Sequence, residues 1–214
     1  MAEKGQHFFS VAVGYNSLGR LYRRLRDTRR AISSYKESLE YLGLVGEKFR
    51  RGQVLCELGA VYAELRDWTT SEKYLLESLE IERQAGDKHN QAITQNNLVR
   101  VYQASHQPKQ ALEAARTAMQ LFQETRDLYR GAMATRNFAK LCRTAKDRSA
   151  CEQAFRDAIE QLRRCNEIDA AKDTERELAG LTRKVGLPWW AWLLIVLLIL
   201  PLIYFALLAF GVIK

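Results

Sequence analysis

The chain has 214 residues, 47% of them hydrophobic, which is enough for one domain and an appendage but leaves no room for several independent cores. Its 33 basic and 25 acidic residues leave a net charge of +8, which favours acidic partners or anionic lipid without choosing between them. Residues 1–10 hold no long apolar run after Lys4, so a cleaved secretory leader is not expected.

Apolar residues recur at intervals of three and four from the start. Leu18, Leu21, Tyr22 and Leu25, then Ile32, Tyr35 and Leu39, predict two amphipathic helices after a short segment of residues 1–9. The pair then repeats. Leu18-Gly19-Arg20-Leu21-Tyr22 returns 40 residues later as Leu58-Gly59-Ala60-Val61-Tyr62, then as Leu98-Val99-Arg100-Val101-Tyr102, and more loosely as Phe138-Ala139-Lys140-Leu141-Cys142. Ala31, Ser71, Ala111 and Cys151 keep the same interval, as do Leu39, Leu79, Met119 and Ile159. Such a period means stacked units, none of which buries its apolar face alone. Asp27, Asp67 and Asp147 stand where a carboxylate caps the second helix of a unit, and Gln107-Pro108 takes that place in the third. Gly46-Glu47, Gly86-Asp87, Arg126-Asp127 and Asn166-Glu167 mark the joins between units. Residues 167–186 predict one more helix, a cap over the last apolar face.

These residues resemble the tetratricopeptide repeat family. Tyr15, Leu18, Gly19, Tyr22, Ala31, Tyr35 and Ser38 follow its order of aromatic, Leu-Gly, Tyr, Ala, aromatic and small residue, and the second unit retains Leu58, Gly59, Tyr62 and Ser78. The 40-residue unit is similar to the variant in kinesin light chains and related adaptors. The resemblance covers residues 10–166 and implies an all-α, right-handed solenoid of four helix pairs, with the first helix of each pair lining its inner curve.

Residues 189–213 contain no Asp, Glu, Lys, Arg or His. At about 1.5 Å per residue a helix of that length crosses a hydrocarbon core of roughly 30 Å. Trp189, Trp190 and Trp192 cluster at its start, where indoles prefer the headgroup boundary, and Arg183-Lys184 precede them. Residues 187–214 therefore read as a single transmembrane helix, a C-terminal anchor that leaves the repeats on the cytoplasmic side: an endoplasmic reticulum or other organelle membrane in a eukaryote, the inner membrane in a bacterium.

Carrying the family's ligand-facing positions over by register puts Asn16, Arg20, Arg23 and Arg24, then Asn96, Asn97 and Arg100, then Arg136, Asn137, Lys140 and Arg143 on the inner curve, where the only acids are Glu57 and Glu64. The resemblance thus implies a basic groove for a protein partner with an acidic, extended segment; the residues alone read equally as a solvated polar face. The run from Arg20 to Arg30 reads as a solvated helix end or a contact for an anionic partner, and no nucleic-acid motif accompanies it. Cys56, Cys142, Cys151 and Cys165 lack metal-ligand spacing and read as buried reduced thiols; His7, His89 and His106 are scattered, and no P-loop, GxSxG or HExxH is present. No catalysis, metal or cofactor is expected. The expectation is a membrane-anchored scaffold or adaptor; the alternative is a structural subunit or assembly factor of a larger integral membrane complex.

Overall fold

The computed structural model describes residues 2–144 and 147–182. Among them are nine helices and no strand: α1 (Ala2–Arg24), α2 (Thr28–Val45), α3 (Lys48–Glu64), α4 (Trp68–Gln84), α5 (Lys88–Ala104), α6 (Pro108–Glu124), α7 (Leu128–Thr144), α8 (Arg148–Arg164) and α9 (Ile168–Thr182). The all-α reading and the four helix pairs followed by one more helix agree with this order. Residues 2–9 are the first turns of α1 rather than a segment before it, since Phe9 packs onto the core around Tyr35 and the Phe8 ring lies 5.9 Å from that of Tyr41. The expected transmembrane helix of residues 187–214, with Trp189, Trp190 and Trp192, lies outside the described residues. Among those described, no helix is long and apolar enough to cross a membrane.

The chain divides into a compact unit of residues 1–176 and a second of residues 177–214, whose described part is the end of α9. In the first unit each odd helix packs on the even helix that follows it, and α2, α4 and α6 pack in turn on α3, α5 and α7. The odd helices also meet one another, α1 with α3 and α3 with α5, so they share one face.

Two columns of small residues set the spacing. Ala31, Ser71, Ala111 and Cys151 are fully buried, as are Ser38, Ser78, Ala118 and Ala158. The serines among them donate to backbone carbonyls of the paired helix, Ser38 to Ala12 at 2.8 Å, Ser78 to Gly52 at 2.7 Å and Ser71 to Gly59 at 2.8 Å, so their hydroxyls are satisfied in the core.

The turns are alike at both levels of the repeat. Arg26, Gly46, Arg66, Gly86, His106, Arg126 and Asn166, spaced by 20 residues apart from the position that falls outside the description, all have φ between 57° and 71°. Just after each, a backbone N–H reaches back five residues, as from Asp27 to Tyr22 and from Asp87 to Glu82. The expected caps are in place: Asp27, Asp67 and Asp147 accept from the backbone N–H three residues on, and Pro108 opens α6. Asp87 and Asp127 do the same at the joins, whereas Glu47 makes no such bond.

Candidate peptide-binding face

Along the face of odd helices, side chains are bonded to the helix one repeat away. Asn97 on α5 donates from Nδ2 to Cys56 Sγ on α3 at 3.4 Å, and Asn137 on α7 donates to Asn96 Oδ1 on α5 at 3.4 Å. Arg100 donates to the Ala60 carbonyl at 3.4 Å. These bonds tie repeats together at separations of 40 or 41 residues, so part of the expected groove chemistry is engaged in holding the stack. Arg136, Lys140 and Arg143 are also on α7, Arg136 just before Asn137 and the other two after it, with Arg143 exposed in the last turn.

The N-terminal end of the face is arranged differently. Arg23 reaches both acids of the face, Glu57 Oε2 at 2.7 Å and Glu64 Oε1 at 2.7 Å. Glu57 stands at the repeat position that holds Asn97 and Asn137 in the next two units. A carboxylate has no N–H to give, and this one is turned to Arg23. Asn16, equivalent to Asn96, is thus left with a buried Oδ1 that no group bonds.

A second polar atom is stranded beside it. Tyr35 is fully buried, and its hydroxyl has no hydrogen-bond partner. Burial, and next the charge of Glu57, pushes the phenol well above its ordinary pKa, so it is a donor at any physiological pH. It lines a cavity of about 290 Å³ with Arg20, Arg23, Arg24, Glu57 and Glu64. Arg20 and Arg24 are exposed and have no ion-pair partner among the described residues. Three guanidinium groups against two carboxylates leave one positive charge in excess. Arg20 also lines a neighbouring cavity of about 210 Å³ with Asn16, Gln53, Asn90 and Ile93. The two cavities share Arg20 and Glu57 in their walls and together draw on α1, α3 and α5; Tyr35 lines the first and Asn16 the second, each with its orphaned oxygen buried.

The structure therefore brings Asn16, Arg20, Arg23 and Arg24 together and assigns Asn97, Arg100 and Asn137 to contacts between repeats. Sequence reasoning missed Tyr35 as a site residue. Its column in the repeat reads Tyr35, Leu75, Ala115, Phe155, so a hydroxyl stands where the other units place only hydrocarbon. The thiols of Cys56, Cys142 and Cys151 are buried, and that of Cys165 is partly so. Burial pushes Cys56 up to about 12, which leaves it unreactive. Among the described residues no three His, Cys, Asp or Glu side chains gather as a metal site.

Tetratricopeptide repeat profiles match residues 50–124 and 15–42. No curated protein matches the chain. Among solved structures, the apo form of RapI is similar with a TM-score of 0.75 at 13% identity, over 83% of this chain and 65% of that one. BtubC (BKLC) from P. vanneervenii gives 0.63 at 19% identity, over 83% and 66% of the two chains. A Rap protein complexed with Competence and Sporulation Factor gives 0.60 at 16% identity, over 78% of this chain and 53% of that one. This chain thus spans just under two thirds of the length of the first two and about half of the third, and identities this low carry the fold alone. Repeat period, helix pairing, caps and these matches agree: residues 15–42 and 50–124 carry tetratricopeptide repeats, and the described residues of the first unit form a helical solenoid like those of these structures.

Proposed function

We propose that this chain is a non-catalytic scaffold that binds an acidic, extended segment of a partner protein across α1, α3 and α5. The observation that carries the reading is the Tyr35 hydroxyl, buried without a partner beside Arg20 and Arg24. An unsatisfied buried donor costs about 1–3 kcal/mol, and that cost is offset when the side chains over the Tyr35 hydroxyl shift and let a ligand oxygen in the cavity reach it. The single excess positive charge suits one carboxylate. Arg20 and Arg24 add charge-assisted bonds of about 1.5–3 kcal/mol each, while Asn16 Oδ1 takes an N–H of the ligand backbone. The likeness to a Rap protein seen in complex with Competence and Sporulation Factor supports a binding role for such a stack.

We further propose that residues 189–213 hold the scaffold in a membrane with the repeats on the cytoplasmic side. The support is the length of this uncharged stretch and the tryptophans and basic pair at its start.

Fluorescence anisotropy tests the first part, using the full chain in neutral lipid nanodiscs and an acetylated extended peptide with a central Glu, beside its Gln twin. Arg20→Glu with Arg24→Glu should weaken the Glu peptide by at least about tenfold and leave the Gln twin little changed. Equal binding of both peptides by wild type, or no effect of the reversal, sinks the groove reading. For the membrane part, release of the chain from membranes by a high-salt wash alone removes the span.

A further inference from the structure

The first helix differs from its repeat equivalents in one respect that the groove does not use. On α3, Leu58 and Val61 are fully buried in a cluster with Ala31, Tyr35 and Leu42 of α2. On α5, Leu98 and Val101 are buried in a cluster with Leu75 and Leu79 of α4. The same register on α1 gives Leu18 and Leu21, which are 41% and 50% exposed; Leu25, one turn further, is 66% exposed, as its equivalent Leu65 is at 50%, and it extends the stripe without marking the difference. The described helices that pack on α1 are α2 and α3, so among the described residues nothing covers the side that an even helix covers in the later repeats.

We propose that this stripe docks an amphipathic helix of a partner protein, apolar on one side and acidic along its flanks, which takes over α1 the place that α2 holds over α3 and α4 over α5. The repeat itself supplies the geometry. Leu18, Leu21 and Leu25 span about 11 Å of one helix face, which matches apolar residues at i, i+3 or i+4, and i+7 on an opposing helix. Charge supplies the flanks. Arg24 and Arg20 border Leu21 in one cavity. Past the end of the stripe, Leu25, Ile32 and Leu65 floor an opening of about 690 Å³ rimmed by Arg26 and Arg29. The acid of that rim, Asp27, is committed to the cap of α2. Arg20, Arg24, Arg26 and Arg29 have no ion-pair partner among the described residues. A second copy presenting the same face would set basic rim against basic rim, whereas an acidic helix neutralises it.

The test uses the full chain in neutral lipid nanodiscs and a fluorescein-labelled peptide of about 18 residues, with Leu at helical spacing on one side and Glu on its flanks. A twin peptide carries Lys in place of Glu. Wild type should bind the Glu peptide and not the twin. The triple change Leu18→Ser, Leu21→Ser and Leu25→Ser, and separately Arg26→Glu with Arg29→Glu, should each weaken binding by at least about tenfold. Tyr35→Phe should leave it unchanged, so this surface and the carboxylate cavity fail or stand separately. Absence of binding to wild type, equal binding of the Lys twin, or indifference to both sets of changes overturns the proposal. So does a dimer in sedimentation that the serine changes dissociate, since the stripe would then belong to a second copy.

Discussion

The ring of Tyr35 lies directly beneath Gly19, and a Cβ built on that glycine would stand 2.6 Å from the tyrosine Cε1. Gly59 repeats the relationship 40 residues on, with a Cβ position 2.8 Å from Leu75 Cγ and 3.3 Å from the Leu75 backbone nitrogen. Both glycines let paired helices approach to the thickness of one side chain. Gly14, on the same α1, has nothing within 4 Å of its Cβ position. Alanine gains about 1 kcal/mol over glycine in a helix, so Gly14→Ala should raise stability by roughly that amount. Gly59→Ala should instead lose about 1–3 kcal/mol through overpacking, even against the same propensity gain. Denaturant unfolding of the two variants checks the pair, and equal shifts in both would mean that Gly59 is not a close approach.

The bonds between repeats make their own prediction. Asn137→Ala removes the 3.4 Å contact to Asn96 Oδ1 and leaves that acceptor like the one on Asn16. A loss of about 0.5–1.5 kcal/mol in unfolding free energy is expected, with acidic-peptide binding unchanged. Lost binding at full stability would return Asn137 to the ligand site.

What the sequence made legible follows from what a 40-residue register can encode. Capping aspartates and the small-residue columns at Ala31 and Ser38 are local or periodic, and they appear in the structure at the expected places. The left-handed turns do not announce themselves, because only Gly46 and Gly86 mark them while Arg26, Arg66, His106, Arg126 and Asn166 adopt the same backbone. The engagement of Asn97, Arg100 and Asn137 between repeats depends on the lateral spacing of odd helices, which no periodicity reports. Polar residues in apolar columns were readable in principle. Glu82 stands with Leu42, Phe122 and Leu162, as Tyr35 stands with Leu75, Ala115 and Phe155.

Glu82 makes stability depend on pH. It is 1% exposed, its Oε1 accepts from Ser78 at 2.9 Å and Thr94 at 3.0 Å, and its Oε2 has no partner. Burial raises its pKa from 4.5 to about 7, against the lowering effect of those two hydroxyls. A carboxyl with a raised folded-state pKa is neutral in both states below 4.5, and there it has no ionisation cost. As pH rises from 4.5 through about 7, the unfolded chain ionises freely and the folded one does not, so stability falls. The full loss above that window is about 3 kcal/mol, because each tenfold difference in the ionisation constant between the two states is worth about 1.4 kcal/mol. Glu82→Gln should flatten this dependence, giving a more stable chain at pH 8 and little difference at pH 4. Thermal unfolding from pH 4 to pH 8 checks it, and parallel curves for the two chains would place the Glu82 carboxylate in contact with a countercharge or solvent.

Tyr35→Phe separates a ligand-binding hydroxyl from a structural one. The ring packs under Gly19 and into the core shared by α1, α2 and α3, and phenylalanine keeps that hydrocarbon contact. The hydroxyl bonds nothing, so its removal takes an unsatisfied donor out of the interior and should stabilise the ligand-free chain by about 1 kcal/mol or more. If the same hydroxyl receives a carboxylate in the cavity, the change should also weaken the Glu peptide by about five- to tenfold and leave its Gln twin less affected. Higher stability with weaker acid binding is the expected joint result, because a group kept for a ligand is stabilising only when the ligand is present. A hydroxyl with a merely structural part would show the reverse, lower stability and unchanged binding. Unfolding midpoints and peptide affinities measured on the same preparations distinguish the two.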